Sequence, residues 1–169
     1  YFPFTVKDDT LDTLNIIEEV YPDYVYWELL RELSLLEVDD SVLYRPFHTL
    51  SNGEQTKVLL AALFLKENSF LLIDEPTNHL DIRGRELVAG YLNSKKGFIL
   101  VSHDRKFLDG CIDHVLSINK TNIEVVQGNF SSWLMDKERQ DNFELLENRK
   151  LKSEIKHFEK TSKEKAVWS

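Results

Sequence analysis

Two acidic residues stand where a short apolar run of the sequence ends. Asp74 and Glu75 follow Phe70–Ile73, a run typical of a strand buried on both faces of a parallel sheet. Ligands of open α/β sheets gather at the carboxyl ends of such strands, where Asp74 can lie beside a bound Mg²⁺ and Glu75 can polarise a water. The pair alone could merely cap the next turn, but the Pro76–Asp81 segment behind it favours phosphate chemistry.

A second apolar run, Phe98–Val101, ends in Ser102-His103-Asp104. A neutral imidazole at His103 can donate a hydrogen bond to a phosphate oxygen. A single histidine after a strand is more often an ordinary surface residue. Because His103 and Glu75 occupy equivalent places after two strands, we expect both to serve one site.

The Ser51-Asn52-Gly53-Glu54 tetrapeptide is a capping box that opens a strongly apolar helix. One interpretation is a well-capped helix and nothing more. In the other, the free N–H groups and the positive dipole end of the helix bind phosphate, and Asn52 and Gly53 tolerate unusual backbone angles there. The capping box alone does not decide between the two interpretations.

One phosphate-binding element is missing from the sequence. A P-loop has the pattern G-x-x-x-x-G-K-S/T, and no glycine of this chain has a second glycine five positions later. We therefore expect that the chain by itself does not hold a nucleotide in the P-loop manner.

The elements that position these residues follow from hydrophobic spacing and from Pro22, which ends the first helix. Predicted helices lie at 11–20, 25–36, 51–66, 82–93 and 104–110. Predicted strands lie at 70–73, 98–101, 114–118 and 122–126. This alternation predicts an α/β sheet behind a helical layer. From Ser131 onward the chain is polar and lacks Gly and Pro, which predicts one extended helix.

Composition excludes several classes of protein. With 42% apolar and 30% charged residues, the chain is typical of a soluble globular protein, and its single cysteine, Cys111, indicates a reducing compartment. No apolar run approaches the roughly 20 residues of a membrane-spanning helix. The net charge of −8 argues against the whole chain wrapping nucleic acid, but residues 149–169 carry +4. That basic tail fits contact with RNA phosphates, although scattered charges on a helix are more often a solvated face.

Four motifs together resemble those of the ABC ATPases. Leu50–Gln55 resembles the signature motif, commonly LSGGQ or LSGGE, and Leu71–Thr77 resembles the Walker B strand with its catalytic glutamate. Leu80-Asp81 is similar to the D-loop, and Val101–Asp104 is similar to the switch-histidine loop. The resemblance implies an α/β fold with a helical subdomain at about 10–66, a mostly parallel core sheet at about 67–126 and a long linker helix behind them.

The resemblance narrows within that family. Glu75–Asp81 is similar to the form typical of ABC-F proteins, which are tandem ATPases that act on ribosomes and have no membrane domain. Gln127–Ser131 resembles the entry to their interdomain linker. Thr161–Ser169 is most similar to the Lsa-type branch, which is associated with resistance to lincosamides, streptogramin A and pleuromutilins. This implies a fragment in which 1–130 is part of the first nucleotide-binding domain and 131–169 is the start of the linker.

The resemblance also implies roles for individual residues and partners for the protein. The implied nucleotide is ATP with Mg²⁺, and the implied partners are a second ABC domain of the same protein, the ribosome, ribosomal RNA and tRNA, all in the cytoplasm. The implied site residues are Glu75 and His103 for catalysis, Asp74 for Mg²⁺ through water, Ser51, Asn52, Gly53 and Glu54 for nucleotide held by the second domain, and Asp81 in the D-loop.

Two residues depart from the family pattern. Asn52 replaces the first signature glycine, and Phe4 stands where Tyr-x-Pro-Gln usually supplies the Q-loop glutamine, which puts the Mg²⁺ and water contact of that loop in doubt. An alternative function is the ATPase subunit of a membrane transporter, although such subunits usually carry other residues at Asn78-His79. A third is a catalytically inert binding module. The intact protein is expected to hydrolyse ATP, whereas the isolated chain is expected to be inactive.

Overall fold

The computed structural model describes residues 1–66, 68–119 and 121–167, with side chains described up to residue 158. These residues form two compact units, one from Tyr1 to Asp113 and one from His114 onward. The segment that resembles the Lsa-type branch, Thr161–Ser169, lies outside the described side chains. In the described part of the chain, no helix combines the length and the apolar character needed to cross a lipid bilayer.

The first unit begins with a helical layer. Its elements are α1 (Thr13–Val20), α2 (Tyr26–Leu35) and α3 (Asn52–Leu65), with 3₁₀ segments at Asp40–Tyr44 and Phe47–Thr49 between the last two helices. Ile16 and Ile17 anchor α1 in the core, and α3 buries eight of its fourteen residues. A helix that is apolar on nearly all sides must lie inside the fold. The three predicted helices of this layer are confirmed.

The rest of the first unit alternates strands and helices. It contains β1 (Leu71–Asp74), α4 (Ile82–Asn93), β2 (Phe98–Val101) and α5 (Arg105–Cys111). The two strands are parallel and pair from Leu71↔Phe98 to Asp74↔Val101, and an isolated parallel bridge places Phe2 beside Ile73. The predicted α/β alternation is confirmed. Because the strands end level with one another, the residues that follow them meet at one edge of the sheet.

The prediction that both apolar runs are buried on both faces is wrong. Leu71 and Ile73 are buried, but Leu72 between them is 47% exposed, and Ile99 and Val101 of β2 are exposed as well. An apolar run does not show which of its alternating side chains meets the core, so its composition overstated the burial. Within the described residues, this sheet is one parallel strand pair with the Phe2 bridge beside it.

The second unit is a β-hairpin followed by a long helix. The strands β3 (His114–Ile118) and β4 (Ile123–Gln127) are antiparallel, and α6 (Phe130–Val167) has 38 residues. Every described side chain of α6 from residue 138 to residue 158 is exposed. These observations confirm the two strands predicted at 114–118 and 122–126 and the predicted extended helix. The predicted domain limits, 1–130 and 131–169, stay predictions.

A buried carboxylate ties α2 to the end of α4. The side chain of Glu32 is 2% exposed and accepts hydrogen bonds from three donors, which are the Tyr91 hydroxyl (2.6 Å), Arg31 Nη2 (3.0 Å) and Lys95 Nζ. The Lys95 ammonium also lies 4.7 Å from the ring centroid of Tyr91 and 5.6 Å from that of Phe64. Because the buried carboxylate is fully hydrogen-bonded and has cationic partners, it links α2 to the residues at and just after the end of α4.

The hydrogen bonds decide the ionisation of Glu32. Burial raises the pKa of its carboxyl, but the three hydrogen bonds outweigh burial and hold the pKa below the ordinary value of 4.5. Burial also raises the pKa of the Tyr91 hydroxyl, and the hydrogen bond to Glu32 raises it further. A lowered pKa in the folded state contributes stability that is fully present above the ordinary pKa and is lost as the pH falls through the folded pKa.

Replacing Glu32 by Gln should therefore destabilise the chain by about 2–4 kcal/mol at neutral pH, because Lys95 would keep a partly buried charge without its partner. Urea unfolding followed by circular dichroism measures this loss. The difference from wild type should shrink as the pH falls through the folded pKa, below 4.5, where the wild-type carboxyl is itself neutral.

The matched control for this substitution is Glu37→Gln. Glu37 pairs with Arg83 at 3.0 Å, but both side chains are more than half exposed, so we expect a change of about 0.5 kcal/mol or less. A loss from Glu32→Gln that is no larger than the loss from the control would contradict a stabilising role for the buried pair.

Candidate active site

The level ends of β1 and β2 bring three of the predicted site residues together. Glu75 follows β1, and its backbone N–H donates to the Val101 carbonyl of β2 at 2.8 Å, so the ladder continues one residue beyond the strand. His103 is the second residue after β2, and its Nε2 lies 3.4 Å from Glu75 Oε1. Asp74 is the last residue of β1 and shares this edge. The structure therefore places Asp74, Glu75 and His103 at one edge, and their chemical roles stay predictions.

Glu75 has a strained backbone and an unsatisfied side chain. Its φ of 47° lies in the left-handed region that residues other than glycine rarely adopt. Its Oε1 is buried and has no hydrogen-bond partner among the described residues, since the His103 nitrogen at 3.4 Å is beyond a normal hydrogen bond. Backbone strain and an orphaned buried oxygen are both features that folds retain at functional sites. A carboxylate oxygen with free lone pairs is suited to accept a proton from a water.

His103 stands on the solvent side of Glu75. Its side chain is 96% exposed, whereas that of Glu75 is 19% exposed. Packing therefore does not hold the imidazole, and its position depends on the backbone on either side of it. The imidazole is therefore accessible from solvent.

Asp74 opens onto a cleft of about 390 Å³. The Tyr1 hydroxyl donates to Asp74 Oδ2 at 3.3 Å, and the cleft continues between the loop after β1 and the first turns of α3. No group of three or more His, Cys, Asp or Glu side chains suited to hold a metal ion occurs in the described chain. Mg²⁺ keeps several waters and takes one or two carboxylates together with substrate phosphates, so a single carboxylate is a fitting donor set. The predicted Mg²⁺ role of Asp74 is compatible with this geometry.

The predicted signature residues form the N-terminus of α3. The Glu54 N–H donates to Ser51 Oγ at 3.2 Å, and the Ser51 N–H donates to Glu54 Oε2 at 2.8 Å, so the predicted capping box is confirmed. The backbone hydrogen bond from Ser51 is the main reason that the pKa of the Glu54 carboxyl lies below its usual value. Asn52 lines the cleft beside Asp74. Gly53 lies under the loop after β1, where a Cβ would stand 3.4 Å from the His79 carbonyl oxygen.

Asp81 has a structural duty at the start of α4. Its Oδ1 accepts from the Gly84 N–H at 2.7 Å, which makes it the N-cap of that helix. The structure thus places Asp81 at the end of the loop that begins with Glu75. Its predicted part in nucleotide binding stays a prediction.

Sequence reasoning missed three supporting residues. The Ser102 hydroxyl lies 3.5 Å from Glu75 Oε2 and 3.5 Å from the hydroxyl of the buried Thr77, so it bridges the loops after the two strands. The Gln55 amide donates to the Phe47 and Leu50 carbonyls and fixes the chain entering α3. Ser102 and Thr77 were visible as hydroxyl residues next to His103 and Glu75, but only the pairing of β1 with β2 shows that they meet.

We expect Glu75→Asn to be more stable than Glu75→Gln by about 1 kcal/mol, because asparagine tolerates the left-handed backbone better. Both variants lose the same charge, and the shorter asparagine also leaves a gap at this largely buried position, which works against the expected difference. Urea unfolding at pH 7 measures it. The control is the same pair of substitutions at Glu86, an exposed position of α4, where asparagine should be no better than glutamine. Equal stabilities of the two Glu75 variants would show that this backbone is not strained.

Part of the chain, including Asp74 and Glu75, is similar to a known protein family. Residues 4–78 match the family model described as ABC transporter. The chain is 37% identical over 112 residues to the energy-dependent translational throttle protein EttA of Haemophilus influenzae, covering 65% of this chain and 20% of that protein. It is 34% identical over 126 residues to the ribosome protection protein VmlR of Bacillus subtilis, covering 74% and 23%. The chain thus spans about a fifth of the length of these relatives.

Two solved structures share the fold of this chain over about 70% of its length. A dimeric bacterial ABC transporter cassette matches with a TM-score of 0.56 at 20% identity, over 70% of this chain and 58% of the other. The archaeal ribosome recycling factor aABCE1 matches with a TM-score of 0.53 at 27% identity, over 69% and 23%. The family match includes the start of α3 together with Asp74 and Glu75. Residues 4–78 are therefore similar to an ABC transporter domain, and the chain has the fold of an ABC ATPase nucleotide-binding domain.

Proposed function

We propose that this chain is part of an ABC-F ATPase that binds and hydrolyses ATP with Mg²⁺ and acts on the ribosome in the cytoplasm. The observation that carries the ATPase proposal is the buried, unpartnered Glu75 Oε1 at the end of two paired strands, 3.4 Å from His103 Nε2. The ABC transporter match of residues 4–78 supports it. Since the chain spans about a fifth of its relatives, we assign this activity to the intact protein. We expect the isolated chain to be inactive, because the P-loop pattern does not occur in it.

The proposed chemistry assigns one task to each residue at the sheet edge. Bound ATP with Mg²⁺ supplies the phosphoryl group. Asp74 would hold the Mg²⁺ through a water. Glu75 Oε1 would accept the proton of the attacking water, since among the described residues this oxygen accepts no hydrogen bond. The exposed His103 donates a hydrogen bond to a phosphate oxygen and helps to balance the charge that develops there.

The proposed site is completed by a second ABC domain of the same protein. The N-terminus of α3 presents free backbone N–H groups and the positive end of the helix dipole, which suit a phosphate. Ser51, Asn52, Gly53 and Glu54 would contact nucleotide held by that second domain. Asp81, which caps α4, would contribute from the D-loop.

The names of two relatives support the ribosome as the proposed site of action. EttA is a translational throttle protein and VmlR is a ribosome protection protein. We extend this to ribosomal RNA and tRNA as partners of the linker that α6 begins. We also propose protection against lincosamides, streptogramin A and pleuromutilins, on the resemblance to the Lsa-type branch. A membrane transporter subunit is the alternative, and co-purification with a membrane-spanning subunit would favour it.

In the intact protein, Glu75→Gln should lower ATP turnover at the site that contains this strand about a hundredfold or more. Glutamine keeps the shape of the side chain but does not take a proton from water, so ATP should still bind and the ATP-bound state should accumulate. Phosphate release measures turnover, and nucleotide retained after gel filtration measures binding.

The matched control is Glu86→Gln, which removes the same charge from an exposed position of α4. It should leave turnover within about twofold of wild type, as expected of a surface change away from the site. Turnover of Glu75→Gln equal to that of this control would show that Glu75 is not the base.

The basic half of α6 gives a second prediction. Replacing the exposed Lys152 and Lys156 by Glu in the intact protein should weaken ribosome binding. These lysines are four residues apart and share one face of the helix. The slope of log affinity against log salt should fall in magnitude by about 0.7–0.9 for each phosphate that the helix no longer neutralises. Pelleting with ribosomes across a salt series measures both effects.

The matched control for the lysines lies in the acidic half of the same helix. Lys137→Glu and Arg139→Glu change the net charge equally, but both side chains already have acidic partners, Asp141 at 3.6 Å and Asp136 at 3.5 Å. If both double variants bind ribosomes alike, the basic face is only solvated and α6 makes no specific phosphate contact there.

A further inference from the structure

The loop after β1 and the loop after β2 share one side chain that belongs to neither, the guanidinium of Arg85 in α4. We propose that Arg85 is a positioning residue for ATP hydrolysis, because it fastens the Leu80-Asp81 turn to the loop that carries His103. This inference rests on the ATPase function proposed above. It concerns only residues of the first unit.

The first contact of Arg85 is with the turn that leads into α4. Its Nε donates to the Leu80 carbonyl oxygen at 3.1 Å. The Asp81 carbonyl accepts from the Arg85 N–H at 2.9 Å, and the Asp81 carboxylate accepts from Gly84. The Arg85 side chain therefore adds a second hydrogen bond to a turn that the Asp81 N-cap already stabilises.

The second contact of Arg85 is with the residue that follows His103. Its Nη1 pairs with Asp104 Oδ2 at 3.0 Å, while Asp104 Oδ1 accepts from the Phe107 N–H at 3.1 Å as the N-cap of α5. The Asp104 N–H in turn donates to Ser102 Oγ at 3.2 Å. The residues on both sides of His103 are thus anchored, and the Arg85 ion pair adds a charged link from that anchor to α4.

The need for such an anchor follows from the exposure of His103. A side chain that is 96% exposed has no packing to fix its place, so the backbone at Ser102 and Asp104 must do so. The Arg85–Asp104 pair is itself partly shielded, with 42% and 22% of the two side chains exposed. Displacement of the Leu80-Asp81 turn would pull on Asp104, and so on the imidazole beside Glu75.

The guanidinium is the group that suits this task. It is planar, and its Nε and Nη1 reach two acceptors in different loops at the same time. A lysine ammonium is a single point on a flexible stem and would meet the Asp104 carboxylate without fixing the Leu80 carbonyl. We therefore expect that a positive charge at position 85 does not replace Arg85 unless it also brings two donors in one plane.

The first test measures the bridge itself by amide hydrogen exchange in this chain. Asp104→Asn keeps an oxygen for the α5 cap but loses the ion pair. We expect it to speed exchange of the Leu80 and Gly84 amides at least about threefold, and Arg85→Gln to do the same at Phe107 and Leu108. Arg83→Gln is the matched control on the same helix, because Arg83 pairs with the exposed Glu37 instead. Effects no larger than those of the control at both loops would overturn the bridge.

The second test measures the consequence for hydrolysis in the intact protein. Arg85→Gln should lower kcat about tenfold while KM for ATP changes less than twofold and the melting temperature matches that of Arg83→Gln. Asp104→Asn combined with Arg85→Gln should be no worse than Arg85→Gln alone, since that single variant already breaks the ion pair. Arg85→Lys should recover only part of kcat. Full recovery by lysine, or additive losses in the double variant, would overturn the positioning role.

The two tests separate this inference from the proposed function. A wild-type protein without ATP turnover would contradict the ATPase proposal and, with it, the role of Arg85 in hydrolysis. The hydrogen-exchange result would still decide whether Arg85 joins the two loops. A wild-type protein with turnover whose Arg85→Gln variant equals the Arg83→Gln control would leave the ATPase standing and remove Arg85 from its machinery.

Discussion

The parallel pairing of β1 with β2 is the constraint on which the candidate site depends. The register sets Asp74 opposite Val101, so the chain leaves both strands at the same level. One more ladder hydrogen bond, from the Glu75 N–H to the Val101 carbonyl, accompanies the turn of the Glu75 backbone into the left-handed region. That turn directs the carboxylate toward the loop after β2, where Ser102 and His103 meet it. A slip of one residue in this register would separate them, because neighbouring side chains of a strand point to opposite faces.

Stabilising contacts elsewhere in the first unit offset the free energy that strain at the site costs. The strained φ of Glu75 and its orphaned buried oxygen each cost free energy. Against this stand the deeply buried α3 and the Glu32 pair that joins α2 to the end of α4. The buried helices stabilise the unit, whereas the site at Glu75 keeps a strained conformation. Folds commonly retain strain at a site whose surroundings determine it fully.

The sequence predicted the elements well because their signals are local. Apolar periodicity located α1, α2 and α3, the capping box located the start of α3, and the loss of Gly and Pro located α6. The placement of Glu75 and His103 at one edge followed from the rule for parallel strands. What failed was burial, since Leu72 and Ile99 face outward although their composition suggested otherwise. Ser102, Thr77 and Arg85 could not be assigned, because their contacts cross from one loop to another and depend on distances that spacing along the chain does not contain.

The length of α6 has a mechanical consequence. At 1.5 Å per residue, its 38 residues extend about 57 Å. A rod of that length is a lever, because a tilt of about 10° at its base carries the far end through about 10 Å. The described side chains from residue 138 to residue 158 are all exposed, so movement of this stretch uncovers no core. Small rotations at Phe130 would thus be amplified into displacements that the whole far end of the helix at Val167 makes together.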